Sequence, residues 1–582
     1  MRLKILLAAL TLAFGSLFAS FNCNVVAQTK VTFVDSSGAP VPNVDAVFFN
    51  GSLNDGLGKT IEIKDGNGTV ESLEGVVAAT AEGYQYSGGI VDSKDLKVVL
   101  LGVDETAPTV RQISFPLSDS LREKTRAALI SAIKKRISEV ELQPFEISRH
   151  MRLAGKLDPK GTLEWLKENK LPKQETMQVN NGIIDGFLRE DLEAAVDMLD
   201  QIKDPMFRTY KLVSMMGELP EKHVAKPIIE QQAVAAIRNV KHAAYRIGMW
   251  AFLAEHYQIS GREDSAQKII DLHLEEVQKL PSDGWSGLPR SVFAALIVEK
   301  QSDVALKMIE GIKDPNEKFR AEGRLAFHCC RTNPKLAIEL LQRYVAPEGR
   351  LFSAPLQDRQ KHVANSRDAT KIVYRMAGEQ TAAAEELADL LKVPNERAWA
   401  LGLIALRLNQ ANPAKAKLIL DKAIDTLADP NADLNHLHTS GSTMAGLLPI
   451  AEQVAPEKVH SMIWEAAFRA IPRSQLMASH QKLQHAAGAI ARYDRDLAIA
   501  LLDVDKLEPG YSTENTAFHQ AILKAEDLPA YAAKISSPES VDMFRHQEKL
   551  VDVLLADEET FWRSVSKPIQ MEWPTHKYEV LP

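Results

Sequence analysis

His436-Leu437-His438, followed by Thr439-Ser440-Gly441-Ser442-Thr443, is the stretch of this sequence that looks most like chemistry. Two imidazoles at i and i+2 project from one side of an extended strand. Such a pair supplies two metal ligands only if the chain there is extended and a third ligand comes from elsewhere. On a helix the same spacing points them apart, and a surface loop or helix cap accounts for the residues without a metal. His480 and His485, five apart, are worse placed. The serines form no Gly-x-Ser-x-Gly elbow, and Ser131-Ala132-Ile133-Lys134 is a chance match to a Ser-x-x-Lys pair. Adjacent Cys329 and Cys330 bridge only through a strained ring and read as core residues. No metal, cofactor or catalytic set follows from these residues.

The elements that would have to position such groups are helical. A small residue, two variable ones and two bulky aliphatics recur at Ala195/Met198/Leu199, Ala225/Ile228/Ile229, Ala266/Ile269/Ile270, Ala305/Met308/Ile309 and Ala337/Leu340/Leu341. Copies continue at Ala384, at Ala416/Ile419/Leu420, at Val459/Met462/Ile463 and at Ala498/Leu501/Leu502. Positions i, i+3 and i+4 share one helical face, so each copy predicts a buried stripe. The copies are 30 to 47 residues apart, which is the length of a helical hairpin in a solenoid. At an offset of 79 residues, Ile312-Lys313-Asp314-Pro315-Asn316-Glu317-Lys318 aligns with Leu391-Lys392-Val393-Pro394-Asn395-Glu396-Arg397. Asp204-Pro205, Asp314-Pro315, Asn333-Pro334, Asn412-Pro413 and Asp429-Pro430 place an N-capping side chain before a residue favoured at the first helical position. The fold class is therefore mainly α: a solenoid of helical hairpins over 121–560, expected to pile into an elongated rod or arc.

Three intervals of the array are interrupted: Pro281 to Pro289, Ala346 to Asn365, and Asn431 to Gly446. Insertions in solenoids gather on one edge, often the binding edge. Trp285, Arg350, Phe352, His436 and His438 are accordingly the candidate binding residues, although a tryptophan that caps an apolar gap fits Trp285 as well.

Met1 to Lys4 form a basic n-region, Ile5 to Ala19 an apolar run, and Val25-Val26-Ala27 a small-residue cleavage site. Residues 1–27 thus read as an export signal, which predicts a periplasmic or extracellular protein with no membrane span after cleavage. Phe21 and Asn22 before Cys23 do not make a lipobox. The formal net charge of −8, moving to −10 without Arg2 and Lys4, disfavours nucleic acid as a partner.

Residues 28–102 change period from helical to two. Lys30 to Val34, Asp45 to Phe49, Thr60 to Ile63, Gly75 to Ala81 and Lys97 to Leu101 read as strands of a small antiparallel β-sandwich. Asp65-Gly66-Asn67-Gly68 reads as a hairpin turn, since a calcium loop would need glycine at its sixth position and glutamate at its twelfth. The run Val31-x-Phe33-Val34-Asp35-x-x-Gly38-x-Pro40-Val41-x-Asn43-Val44, then Asp65 to Val70, then Ala81-Glu82-Gly83-Tyr84, resembles the carboxypeptidase regulatory-like domain, a transthyretin-like sandwich. The resemblance implies an accessory module without catalysis of its own. Residues 103–120 read as a linker. The helical region around Ala400, Leu403, Ala416, Leu420 and Ala423 resembles degenerate tetratricopeptide-like repeats, and 561–582 form an aromatic C-terminal tail.

Together these features predict an exported, non-catalytic interaction or scaffold protein that binds a protein, peptide or envelope component. The rivals are a helical toroid that cleaves polysaccharide, which needs a closed ring and paired carboxylates, and a carbohydrate-binding sandwich with exposed aromatics near Tyr84 and Tyr86. An aromatic content of 6% disfavours the toroid.

Overall fold

The computed structural model describes residues 28–558 apart from 51–56, 115, 201, 203, 219–225, 281–286, 346–368, 392, 429–433, 474–479, 503–523 and 536–542. The strands come first: β1 (Thr29–Val34), β2 (Asp45–Phe49), β3 (Lys59–Thr60), β4 (Asn67–Val70), β5 (Gly75–Thr80), β6 (Ser87–Val91) and β7 (Asp95–Val99). They form two sheets, in the orders β4-β1-β7 and β3-β2-β5-β6. β1 and β7 run parallel with Lys30 opposite Asp95, so the sandwich is mixed rather than wholly antiparallel. A parallel pair needs a crossover between its strands, and here all the intervening strands supply it. Asp65 and Gly66 take positive φ angles of 52° and 73° between Lys64 and Asn67, which exchange both backbone hydrogen bonds. That is a two-residue hairpin loop. A Cβ on Gly66 would lie 2.8 Å from that of Pro40, so glycine is required twice over.

The helices follow: α1 (Asp119–Glu139), α2 (Pro144–Leu157), α3 (Pro159–Glu168), α4 (Lys173–Glu190), α5 (Leu192–Asp200), α6 (Pro205–Glu218), α7 (Lys226–Arg238) and α8 (Ala243–Ile259). Next come α9 (Glu263–Lys279), α10 (Gly287–Ile297), α11 (Ser302–Glu310), α12 (Pro315–Cys329), α13 (Pro334–Val345) and α14 (369–377). The last are α15 (Thr381–Leu390), α16 (Pro394–Leu408), α17 (Pro413–Leu427), α18 (Leu434–Val454), α19 (Val459–Ala470), α20 (His480–Ile490), α21 (Arg495–Leu501), α22 (Leu528–Lys534) and α23 (Met543–Leu555).

The proline pairs start helices as their chemistry requires. Asp204 Oδ1 accepts from the amides of Met206 and Phe207, Asp314 Oδ1 from Glu317, Asn333 Oδ1 from Leu336 and Asn412 Oδ1 from Lys415, all at 3.0 to 3.2 Å. Asp429-Pro430 lies outside the described residues. The repeated stripes are buried at Ala195/Met198/Leu199 and at every described copy from Ala266 to Leu502. Burying each such aliphatic stabilises the array by roughly 1.5–3 kcal/mol. In the second copy Ala225 lies outside the described residues and Ile229 is buried as expected, but Ile228 is 55% exposed, because α7 turns Lys226, Ala233 and Ile237 inward with Ile229.

These stripes lie on α5, α9, α11, α13, α15, α17, α19 and α21, each packed on its hairpin partner. The partners make the lateral contacts: α2 with α4, α6 with α8, α8 with α10, α10 with α12, α16 with α18, and α18 with α20. The result is a two-layered hairpin array. Its ends meet: α1 packs against α22, and α2 against α23. Where spacing alone predicts an elongated rod or arc, the first described helices lie against the last described ones.

The sandwich is likewise built in. Ala46, Phe48, Val77 and Ala79 face its own core, while Val47, Phe49, Val76 and Ala78 join the helical core. β5 and β6 lie on α19, and the Tyr86 ring is 5.4 Å from that of Phe468. The described residues of 103–118 carry no helix or strand, and Ile113 donates to the carbonyl of Arg492 at 2.9 Å.

Candidate functional site

A cavity of about 450 Å³ opens where the two ends of the helical array meet, lined by Phe145, Arg149, Arg152, Gln178, Phe544 and Glu548. Phe145, Arg149 and Arg152 stand at i, i+4 and i+7 on α2, one helical face. Pro144 at the first helical position and Glu146, whose Oε2 accepts from the Gln143 amide at 2.9 Å, fix where that face begins. Gln178 comes from α4, and Phe544 and Glu548 from one face of α23. α2 and α4 approach backbone to backbone: a Cβ on Gly155 would sit 2.8 Å from the amide nitrogen of Ile183, and one on Gly182 would strike the carbonyl of Arg152. Glycine at both positions permits this approach, which sets the spacing of the two helices that carry Phe145, Arg149, Arg152 and Gln178.

The two ends are held by polar contacts. His150 Nδ1 lies 2.7 Å from Gln547 Oε1, and Arg152 Nη2 donates to Glu548 Oε1 at 3.1 Å. Burial pushes the His150 imidazole below its ordinary pKa, so it is neutral and donates through Nδ1–H to the amide oxygen. Arg122 Nη1 donates to the carbonyl of Leu554 at 2.7 Å, and Arg189 Nη1 to that of Leu555 at 3.2 Å. Two cations thus satisfy the last turn of α23, where the helix dipole is negative.

The lining is rich in donors. The Arg149 guanidinium carbon stands 4.3 Å from the Phe544 ring centroid, and no ion pair engages it among the described residues. Arg152 Nε is buried with no hydrogen-bond acceptor. Gln178 Oε1 accepts from Ser148 Oγ at 3.1 Å, which leaves its amide NH₂ as a donor. Phe145 is 51% exposed at the rim. Glu548 is the one carboxylate of the lining, and Arg152 already holds it.

The residues singled out from the sequence lie elsewhere. Trp285, Arg350 and Phe352 fall outside the described residues. His436 and His438 lie in α18, where the backbone is helical rather than extended, so positions two apart do not share a face. Lys134 pairs with Asp158 at 3.8 Å. Among the described residues no three His, Cys, Asp or Glu side chains gather at metal-ligand distance, and no helix is long and apolar enough to cross a membrane. The cavity residues were missed because α2 and α23 are nearly 400 positions apart. The available signal was the single face shared by Phe145, Arg149 and Arg152.

No family model matches the chain, and no curated protein matches it. The crystal structure of Ton1535 from Thermococcus onnurineus NA1 is similar over 58% of this chain and 98% of its own, at 13% identity and a TM-score of 0.25. A likeness that slight carries no argument about fold or function.

Proposed function

We propose that this chain is an exported, non-catalytic interaction protein that holds a protein or peptide on its helical-repeat body. The observation that carries this reading is the cavity between α2, α4 and α23. It combines an exposed phenylalanine, a second ring beneath an arginine, and that arginine's lack of an ion-pair partner among the described residues. Aromatic and arginine side chains around a concavity are the usual anchors of a recognition hot spot. The sandwich, with its resemblance to the regulatory-like domain, serves as a docked accessory module. Peptides selected by display on the full chain test the reading. Phe145→Ala and Phe544→Ala are expected to weaken the selected peptides by about tenfold or more. Failure to select any, or binding indifferent to both substitutions, would overturn it.

One observation favours a second reading: the meeting of the array's ends is the closure that a polysaccharide-cleaving toroid requires. Against it, the cavity gathers a single carboxylate where such hydrolysis uses a pair. Release of reducing ends from a panel of glycans would decide for the toroid.

A further inference from the structure

We propose that the cavity between α2, α4 and α23 binds an organic carboxylate with an apolar body, and that the bound acid ties the two ends of the array together. This rests on reading the cavity as the protein's binding site. Three donors around it lack acceptors among the described residues: the Arg149 fork, the buried Nε of Arg152 and the Gln178 amide. Of the three only the Arg152 Nε is buried, and a ligand oxygen is an ordinary way of satisfying such a donor. Two guanidiniums and one carboxylate leave the lining with a net positive charge, in a chain whose formal net charge is −8.

A planar guanidinium recognises a carboxylate through paired N–H donors, and the ring beneath it holds the fork in place. Phe145 and Phe544 supply apolar surface for carbon, which inorganic phosphate would not use. The volume takes one side chain or one chain terminus, not a folded domain. The source is thus either the C-terminus or acidic side chain of a peptide, or a free small acid. In both cases one wall comes from α2 and α4 and the other from α23. A ligand bound between them stabilises the joined state by its own binding free energy.

The test uses the full chain and four probes: N-acetylated Ala-Ala-Phe as the free acid, the same peptide as its C-terminal amide, 3-phenylpropionate, and inorganic phosphate. The peptide acid is expected to bind, with the amide about tenfold or more weaker. Arg149→Gln, an exposed substitution that far-UV circular dichroism can show to be folded, should remove that difference. Hydrogen-exchange protection over 543–555 should rise with the acid. Equal binding of 3-phenylpropionate supports the proposal with a free acid as the source, and selective binding of the peptide acid supports it with a chain terminus. Equal binding of acid and amide, acid binding unchanged in Arg149→Gln, or binding of phosphate alone overturns it. If acid and amide bind equally and both are lost in Phe145→Ala, the carboxylate inference falls while the peptide-binding reading stands. If none of the probes binds and display yields nothing, both fall.

Discussion

Arg122 in α1 donates to the backbone carbonyl of Leu554 in α23 at 2.7 Å, a contact that spans 432 positions of sequence. Together with Arg189 on Leu555, it caps a helix built from the far end of the chain. Arg122→Ala should destabilise the protein by about 1 kcal/mol, and the pair with Arg189→Ala by about 2 kcal/mol. Hydrogen exchange should reveal the loss first over 543–555. Unchanged protection there would show that the capping carries no weight.

Stability should fall as the solution becomes acidic. Burial lowers the His150 pKa most; Arg136 and Arg149 act the same way, while the Gln547 contact and Glu146 oppose them. Burial also lowers that of His460, against Asp494. A group whose folded pKa lies below its unfolded value near 6.5 costs nothing above that pH. Below it, the unfolded chain takes the proton more readily. Each histidine then removes up to about 1.4 kcal/mol per pH unit until its folded pKa is reached. Urea unfolding between pH 7.5 and 5 should show the decline, and His150→Gln should flatten it.

The two cysteines should be inert in the folded protein. Burial raises Cys329 to about 12 and Cys330 to about 11, which leaves thiolate fractions at pH 8 of roughly one in ten thousand and one in a thousand. Iodoacetamide should leave the tryptic peptide 325–331 unmodified until denaturant is added. Prompt labelling of the native protein would mean that α12 is not packed as described.

Gly88 sits where β6 meets α19, and a Cβ there would strike the carbonyl of Val77 and the Trp464 ring. Gly88→Ala should cost about 1–3 kcal/mol by overpacking and red-shift the tryptophan fluorescence as Trp464 loses its cover. An unaltered spectrum and midpoint would argue against the sandwich being docked there.

Glu465 and Arg469 form a buried pair at 2.6 Å beside that interface. Arg469→Met should cost about 3–5 kcal/mol by stranding the carboxylate, and adding Glu465→Leu should recover most of it. A double variant no better than the single would show that Arg469's bonds to Leu427 O and Ser440 matter more than the charge.

The hairpins could be read from the sequence because their determinants are local. A stripe of three residues and an Asx-Pro pair act within one turn of helix, and burial at Ala305, Met308 and Ile309 or at Ala416, Ile419 and Leu420 follows from spacing alone. Ile228 misled because its neighbours fit the pattern in more than one register. The docking of the sandwich had a signal that passed unused: Ala46 to Phe49 and Val76 to Ala79 are unbroken apolar runs, and strands buried on both faces read that way. The joining of the ends had none. No rule of spacing links Phe145 and Arg149 to Phe544 and Glu548, whose proximity is the sum of every angle between the hairpins.

Because α1 and α2 find their last neighbours only in α22 and α23, a ribosome has released nearly the whole chain before the earliest helices can be fully covered. The faces that α1 and α2 turn toward those helices therefore wait for segments made last. Synthesis and folding cannot finish in the same order, and shortening the chain at its far end would expose what was made near its beginning.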